Sequence, residues 1–321
     1  MRFTKEELFE LTRSDGGRFK VFDFEAAYNF CRKLAIKHYE NFPVASIFIP
    51  RKERKFIYSI YTFARISDDI ADELTTVNKI ERIDALYLFE RNLMEVENIF
   101  WTDEAYYDFL PKFKALGYNP IIAALVYTMN EKSISLKPFQ KLLSAFKKDI
   151  DFRQPETMNE LFDYCSYSAN PIGELVLRVF DLYNHLTIEL SDKICTGLQL
   201  VNFWQDISID IKNDRCYIPR DFLRKYNLNK DNLQNKNYSV NFSDCLDELC
   251  EFTENLLSDG KNLLNYLKPN RLRWEITGTI LGGMIILRKL KKLKSGVLEH
   301  RPKLNFLDII TIIIKTLTQK I

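Results

Sequence analysis

The stretch Gln199-Leu-Val-Asn-Phe-Trp-Gln-Asp-Ile-Ser-Ile-Asp210 carries the fold and the chemistry together. Asn202, Asp206 and Asp210 recur every four residues, so on an α-helix they line one stripe, each a turn from the next. Around them stand Leu198, Leu200, Val201, Phe203, Trp204, Ile207 and Ile209. Packing alone explains such a polar stripe poorly, because a buried carboxylate is costly unless it is paired or bound to metal. Asn and Asp are both oxygen donors, so the stripe suits a hard cation. Upstream, Leu190, Ile194, Leu198 and Val201 extend the same helical period. Downstream, Lys212, Arg215 and Tyr217 precede Ile218-Pro219. That basic cluster suits an anion whose charge exceeds what the cation neutralises. Salt bridging between Asp210 and Arg215 is the alternative account.

A second acidic stripe lies in Phe63-Ala-Arg-Ile-Ser-Asp-Asp-Ile-Ala-Asp-Glu73. Asp68 and Asp72 share a helix face one turn apart, and like charges at that spacing repel. The preceding run, Phe56 to Ala64, is strongly apolar, so this is no solvated charge run. Mg²⁺ would offset the repulsion; spacing alone is equally compatible with surface acids on a last helical turn. Two such stripes, far apart in sequence and each in an apolar helix, point more firmly to a carboxylate metal site in a helical bundle.

Helical periodicity continues along the chain. Ile83, Leu86, Phe89, Leu93 and Val96 recur at three- and four-residue steps, which predicts a helix over 80–100. Most prolines, Pro111 among them, are expected at boundaries between such runs, while Pro171 opens or kinks a helix. The polar stretch from Asn227 to Asn241 reads as an exposed loop, and Gly278 with Gly282 as a close helix contact. Strand signals are weak, and no Gly-rich phosphate loop is present. The expectation is a single all-α domain over 1–321.

The two stripes, in this order and with these neighbours, resemble the aspartate-rich motifs of the squalene/phytoene synthase family. Arg65 with Asp68-Asp-Ile-Ala-Asp72 resembles the first, and Asn202 to Asp210 followed by Arg215-Cys-Tyr217-Ile-Pro219 the second. His38-Tyr-Glu-Asn-Phe-Pro-Val-Ala-Ser46 resembles the family's substrate flap, and Asp163-Tyr-Cys-Ser-Tyr-Ser-Ala-Asn-Pro-Ile-Gly173 its central kinked helix. The resemblance spans roughly Ala26 to Leu304. It implies an isoprenoid-synthase-type helical bundle with a central cavity. The phrases at 40–46, 168–173 and 202–206, with Arg301-Pro-Lys-Leu304, resemble the branch that hydrates presqualene diphosphate to hydroxysqualene in hopanoid synthesis. Gln205 stands where many members carry Arg, Ile209 where many carry Glu, and Gly282-Gly283 where others place an aromatic.

The resemblance implies roles for individual residues. Asp68, Asp72, Asn202, Asp206 and Asp210 would hold Mg²⁺. Arg65, Arg215 and Tyr217 would bond the diphosphate. Tyr164 and Tyr61, with Phe42, would line a carbocation pocket; any of them also reads as core, and ring faces attract cations. Ala169 and Gly173 would leave room for the chain, and His38, Asn41 and Gln199 would contact substrate. The implied reaction needs no NADPH. Head-to-head condensation of two prenyl diphosphates, and a non-catalytic helical protein of the same fold, are the alternatives. A presqualene diphosphate synthase would be the pathway neighbour.

The bulk properties agree. The 321 residues carry 46 Lys+Arg against 44 Asp+Glu, a balance unlike that of a nucleic-acid binder. Six cysteines form no C-x-x-C pair, and with only three histidines they suggest reduced core thiols in a cytosolic protein, Cys165 and Cys195 among them. The apolar C-terminus from Leu304 is broken by Asp308, Lys315 and Lys320. It reads as a last core helix, or as a helix lying peripherally on a membrane surface.

Overall fold

The computed structural model describes residues 3–38, 49–72, 77–100, 103–234, 240–268 and 270–318. Among them are sixteen α-helices and four short 3₁₀ turns. The helices are α1 (Lys5–Glu10), α2 (Phe24–His38), α3 (Arg51–Asp72), α4 (Lys79–Phe100), α5 (Asp103–Leu116), α6 (Pro120–Lys132), α7 (Lys137–Ile150) and α8 (Met158–Ser168). There follow α9 (Asn170–Val179), α10 (His185–Gln205), α11 (Ile207–Asp210), α12 (Arg220–Lys225), α13 (Lys230–Gln234), α14 (Val240–Gly260), α15 (Asn270–Leu293) and α16 (Phe306–Thr318). The one β feature among the described residues is an isolated antiparallel bridge between Val21 and Tyr118. The all-α expectation holds.

The backbone divides into two compact units. The first comprises Met1–Asp151 and Glu174–Tyr183, the second Phe152–Gly173 and Asn184–Ile321, so the division falls inside α9. In the first unit α2, α3 and α6 pack on one another, with α4 and α7 alongside α3. The α3 side chains Phe56, Ile60, Phe63, Ile66 and Ile70 are buried there. In the second unit α10 packs against α14 and α15. Leu200, Val201, Phe203 and Trp204 of α10 are buried, each worth roughly 1.5–3 kcal/mol of apolar transfer. Trp204 also donates its indole N–H to Thr253 Oγ1 of α14 at 2.9 Å, which satisfies a donor that burial would otherwise strand.

Local signals set the boundaries. Asn184 caps α10 by accepting from the Leu186 and Thr187 amides, while Thr187 Oγ1 accepts the Asn184 amide. The chain breaks at Ala169, the C-cap of α8, and Pro171 stands in the first turn of α9, where a missing N–H costs least.

Three expectations need correction. Pro111 lies inside α5 and not at a boundary. It is exposed, and buried Phe109 and Phe113 hold the helix on both sides, so packing outweighs one lost backbone bond. The polar stretch after Asn227 contains the short helix α13, because buried Leu228 and Leu233 anchor it and Asn229 and Asn232 cap each other's amides. The tight helix contact is at Gly283, whose added Cβ would meet Leu198 at 3.0 Å. Gly278 and Gly282 leave ordinary van der Waals room, at 3.6 Å and 3.8 Å from their nearest neighbours.

Candidate active site

In the first unit the acidic stripe closes α3. Tyr61, Arg65, Asp68 and Asp72 follow one another at three- and four-residue steps along one face, and Asp72 is the last described residue of the helix. The last turn holds no basic residue, so these carboxylates sit at the negative end of the helix dipole. A carboxylate there is disfavoured by about 0.3–1 kcal/mol unless a positive charge compensates it. Arg65 supplies part of the compensation. Its guanidinium lies 3.5 Å from Asp68 and 2.5 Å from Asp69. Asp69 is buried, and sequence reasoning gave it no role. The adjacent-acid pair Asp68-Asp69 was the available signal: only one of two neighbours can follow the exposed stripe. Tyr61 is half-buried, and its hydroxyl pKa is raised by burial, partly offset by Arg65. His38 ends α2, but its side chain lies outside the described residues, as do Asn41 and Phe42.

In the second unit the other stripe does not ride one unbroken helix. α10 stops at Gln205 and Asp206 is its C-cap, with φ −98° and ψ 7°. Helical spacing nonetheless survives the break. The Asp206 amide donates to the Asn202 carbonyl and the Asp210 amide to the Asp206 carbonyl, both at 2.9 Å. The three side chains therefore keep to one side, with Asn202 exposed and Asp206 and Asp210 half-buried. The Arg215 amide then donates to the Asp210 carbonyl at 2.8 Å, bringing Arg215 back beside the stripe. Gln199, one turn ahead of Asn202 and Phe203, is half-buried.

Tyr217 is placed by stacking. Its ring lies on Phe203 with centroids 3.9 Å apart and planes 11° apart. Phe152 meets Tyr217 edge-on at 4.9 Å, and Tyr164 stands 6.1 Å from it and 6.0 Å from Phe203. Two of the expected site residues, Tyr164 and Tyr217, thus share one aromatic cluster.

The pairing of Arg301 with Asp206 emerges from the structure. The Arg301 Nε donates to one Asp206 oxygen and its Nη2 to the other at 3.2 Å. Gln205 holds the same segment by donating Nε2–H to the Pro302 carbonyl at 2.7 Å. The positive charge that the neutral Gln205 does not bring to the second motif arrives from position 301. The Arg301-Pro-Lys-Leu304 phrase marked this segment in the sequence, but nothing local linked it to a residue 95 positions away.

Ala169 is the half-buried C-cap of α8. Gly173 is buried against α10, where a Cβ would stand 2.3 Å from Ser191 Oγ and 2.6 Å from Cys195 Sγ. Burial pushes the Cys165 and Cys195 thiols up to about 12, as befits inert packing groups.

Among the described residues no three acidic, His or Cys side chains converge as a complete cage. Mg²⁺ is commonly held by one or two carboxylates together with substrate phosphates. Asp68 and Asp72 on one stripe, and Asn202, Asp206 and Asp210 on the other, carry the hard oxygen donors that such an ion takes.

The family model described as squalene/phytoene synthase matches residues 36–308. A hydroxysqualene synthase of Sinorhizobium fredii is 33% identical over 250 residues, 77% of each chain. One from Rhodopseudomonas palustris is 32% identical over 244 residues, 74% of this chain and 75% of that one. Among solved structures, squalene synthase HpnC from Alicyclobacillus acidocaldarius matches with a TM-score of 0.74 at 30% identity, covering 84% of this chain and 95% of that one. A dehydrosqualene synthase in complex with ligand shares the fold, with a TM-score of 0.76 at 19% identity over 92% of this chain and 97% of that one. With both acidic stripes inside the matched span and an all-α fold common to these structures, the chain belongs to the squalene/phytoene synthase family.

Proposed function

We propose that the chain is a Mg²⁺-dependent enzyme that converts presqualene diphosphate and water into hydroxysqualene and diphosphate. The observation that carries the diphosphate chemistry is the pair of oxygen-rich stripes, one at the dipole-disfavoured end of α3 and one running through the break after α10. The choice of reaction rests on the curated relatives named hydroxysqualene synthase.

Asp68 and Asp72 on one stripe, and Asn202, Asp206 and Asp210 on the other, would hold Mg²⁺. When bound, the ion supplies charge stabilisation to the departing diphosphate. Arg65 and Arg215 add charge-assisted donors to diphosphate oxygens, and the Tyr217 hydroxyl adds a neutral one. In the reaction the C–O bond breaks and its electron pair leaves with diphosphate. The cyclopropylcarbinyl cation opens, water adds to carbon, and the water gives up a proton. Tyr164 and Tyr217, clustered with Phe203, would contribute aromatic rings suited to a nearby cation. Balanced in this way, the reaction takes up no hydride.

The test is incubation of purified protein with Mg²⁺ and presqualene diphosphate, without NADPH, with products resolved by mass spectrometry. A hydroxylated C30 alcohol with released diphosphate is expected. Failure there, with farnesyl diphosphate consumed in a parallel reaction, would replace this reading with head-to-head condensation.

A further inference from the structure

The last helix turns its greasier side outward. Ile312 and Thr316 are the α16 residues buried by the protein, seated over Gly278 of α15. Phe306, Leu307, Ile310, Ile314 and Leu317 are all exposed, the first two by 74% and 70%. At helical spacing these five fall within one arc of about 100°, opposite the buried pair. The single acid of the helix, Asp308, is neutralised: Lys289 donates to it, and it caps the Asn305 amide.

A basic patch adjoins that face. Lys289 Nζ also donates to the Lys303 carbonyl at 2.8 Å, which fixes the end of α15 against the start of α16. Between Arg288 and Lys303 the chain carries seven Lys or Arg residues and one Glu. Three are engaged, Lys289 with Asp308, Lys291 with Glu254 and Arg301 with Asp206. Arg288, Lys292, Lys294 and Lys303 are exposed and make no ion pair among the described residues.

We infer that α16 and the basic end of α15 form a docking surface for an anionic lipid bilayer, with α16 lying in the interface. The described α16 span of 13 residues is about 20 Å long, below the ~30 Å hydrocarbon core, and its single apolar face suits a helix lying in the interface. Among the described residues no helix is long and apolar enough to cross. Charge selects the bilayer over a second copy of the chain, because interfaces between proteins are depleted in lysine, whereas an amphipathic helix rimmed by lysines gains from anionic headgroups. The docking surface is built from these residues alone. Its use, receiving and returning C30 isoprenoids that dissolve in lipid, rests on the proposed function.

The test is cosedimentation of the full chain with vesicles of phosphatidylcholine alone or with added phosphatidylglycerol. Binding is expected to the anionic vesicles and to weaken with salt. Leu307→Ser with Ile314→Ser should abolish it. Lys292→Glu with Lys294→Glu should lower partitioning by at least about 25-fold, at roughly fivefold per lysine removed from an anionic surface. Circular dichroism should show both variants folded, as expected for exposed positions. Binding unchanged in the variants, or no binding, overturns the assignment. So does a vesicle-independent dimer by light scattering that Leu307→Ser dissolves. Turnover in detergent micelles separates the two proposals: these variants should keep it, and its absence in the unsubstituted chain would count against the reaction and not against the surface.

Discussion

Gly173→Ala separates a packing role from a substrate-lining one. A Cβ at 173 would stand 2.3 Å from Ser191 Oγ and 2.6 Å from Cys195 Sγ, both inside contact distance. Overpacking of this kind costs up to about 3 kcal/mol, and exchanging Gly for Ala within a helix returns about 1. The net loss is about 2 kcal/mol. For a unit of roughly 160 residues that lowers the melting temperature by about 4–8 °C, read by calorimetry or circular dichroism. Adding Ser191→Ala and Cys195→Ala removes both offending atoms and leaves the Ser191 Cβ at 3.6 Å, an ordinary contact. The triple variant should recover its melting temperature. If Gly173 only packs, turnover and KM recover as well. If it also lines the substrate chain, KM stays raised in the rescued protein. An unshifted melting temperature in Gly173→Ala, or no rescue in the triple variant, would refute the reasoning.

Asp68→Ala and Asp206→Ala should each abolish turnover while circular dichroism stays unchanged; near-normal activity in either would sink the metal assignment. Arg301→Ala frees Asp206 from a partly exposed ion pair worth about 1 kcal/mol, so Mn²⁺ alone should bind roughly fivefold more tightly by titration calorimetry. Weaker or unchanged binding would show that Arg301 does not compete with the cation. Glu275 is raised by burial to about 7, and its Oε2 is buried with no hydrogen-bond partner. The folded state therefore holds this proton more tightly than the unfolded chain, whose value is 4.5. Its neutral form stabilises fully below the unfolded value, and that contribution is lost as pH rises through about 7, a loss of up to about 3 kcal/mol. Glu275→Gln should accordingly raise the melting temperature at pH 8 and change little at pH 4, and equal effects at both would contradict the assignment.

Local patterns were legible where one segment contains the whole cause. The period of Ile83 to Val96 marks a helix observed at Lys79–Phe100, and Leu190 to Val201 marks one at His185–Gln205. The spacing of Asn202, Asp206 and Asp210 was right about the stripe, although the helix breaks at Asp206, because the i to i+4 backbone bonds continue across the cap. What escaped depends on partners distant in sequence. Pro111 is tolerated because Phe109 and Phe113 find a core that their own segment does not announce. Gly283 is the tight contact because of Leu198, far upstream, which no reading of the 278–283 run contains. Arg301 and Asp206 meet only once the chain has folded back.

The stack of Tyr217 on Phe203 has a consequence for the timing of cost. It closes a short loop whose interior carries Asp206, Asp210 and Arg215. Bringing such ends together costs chain entropy, and here the folding of the aromatic cluster meets that cost before any ligand arrives. A ligand then meets charges already arranged, and its binding energy remains for the bond that must break. Tyr217→Phe would keep this clasp and remove only the hydroxyl, so the ring organises the site independently of its oxygen.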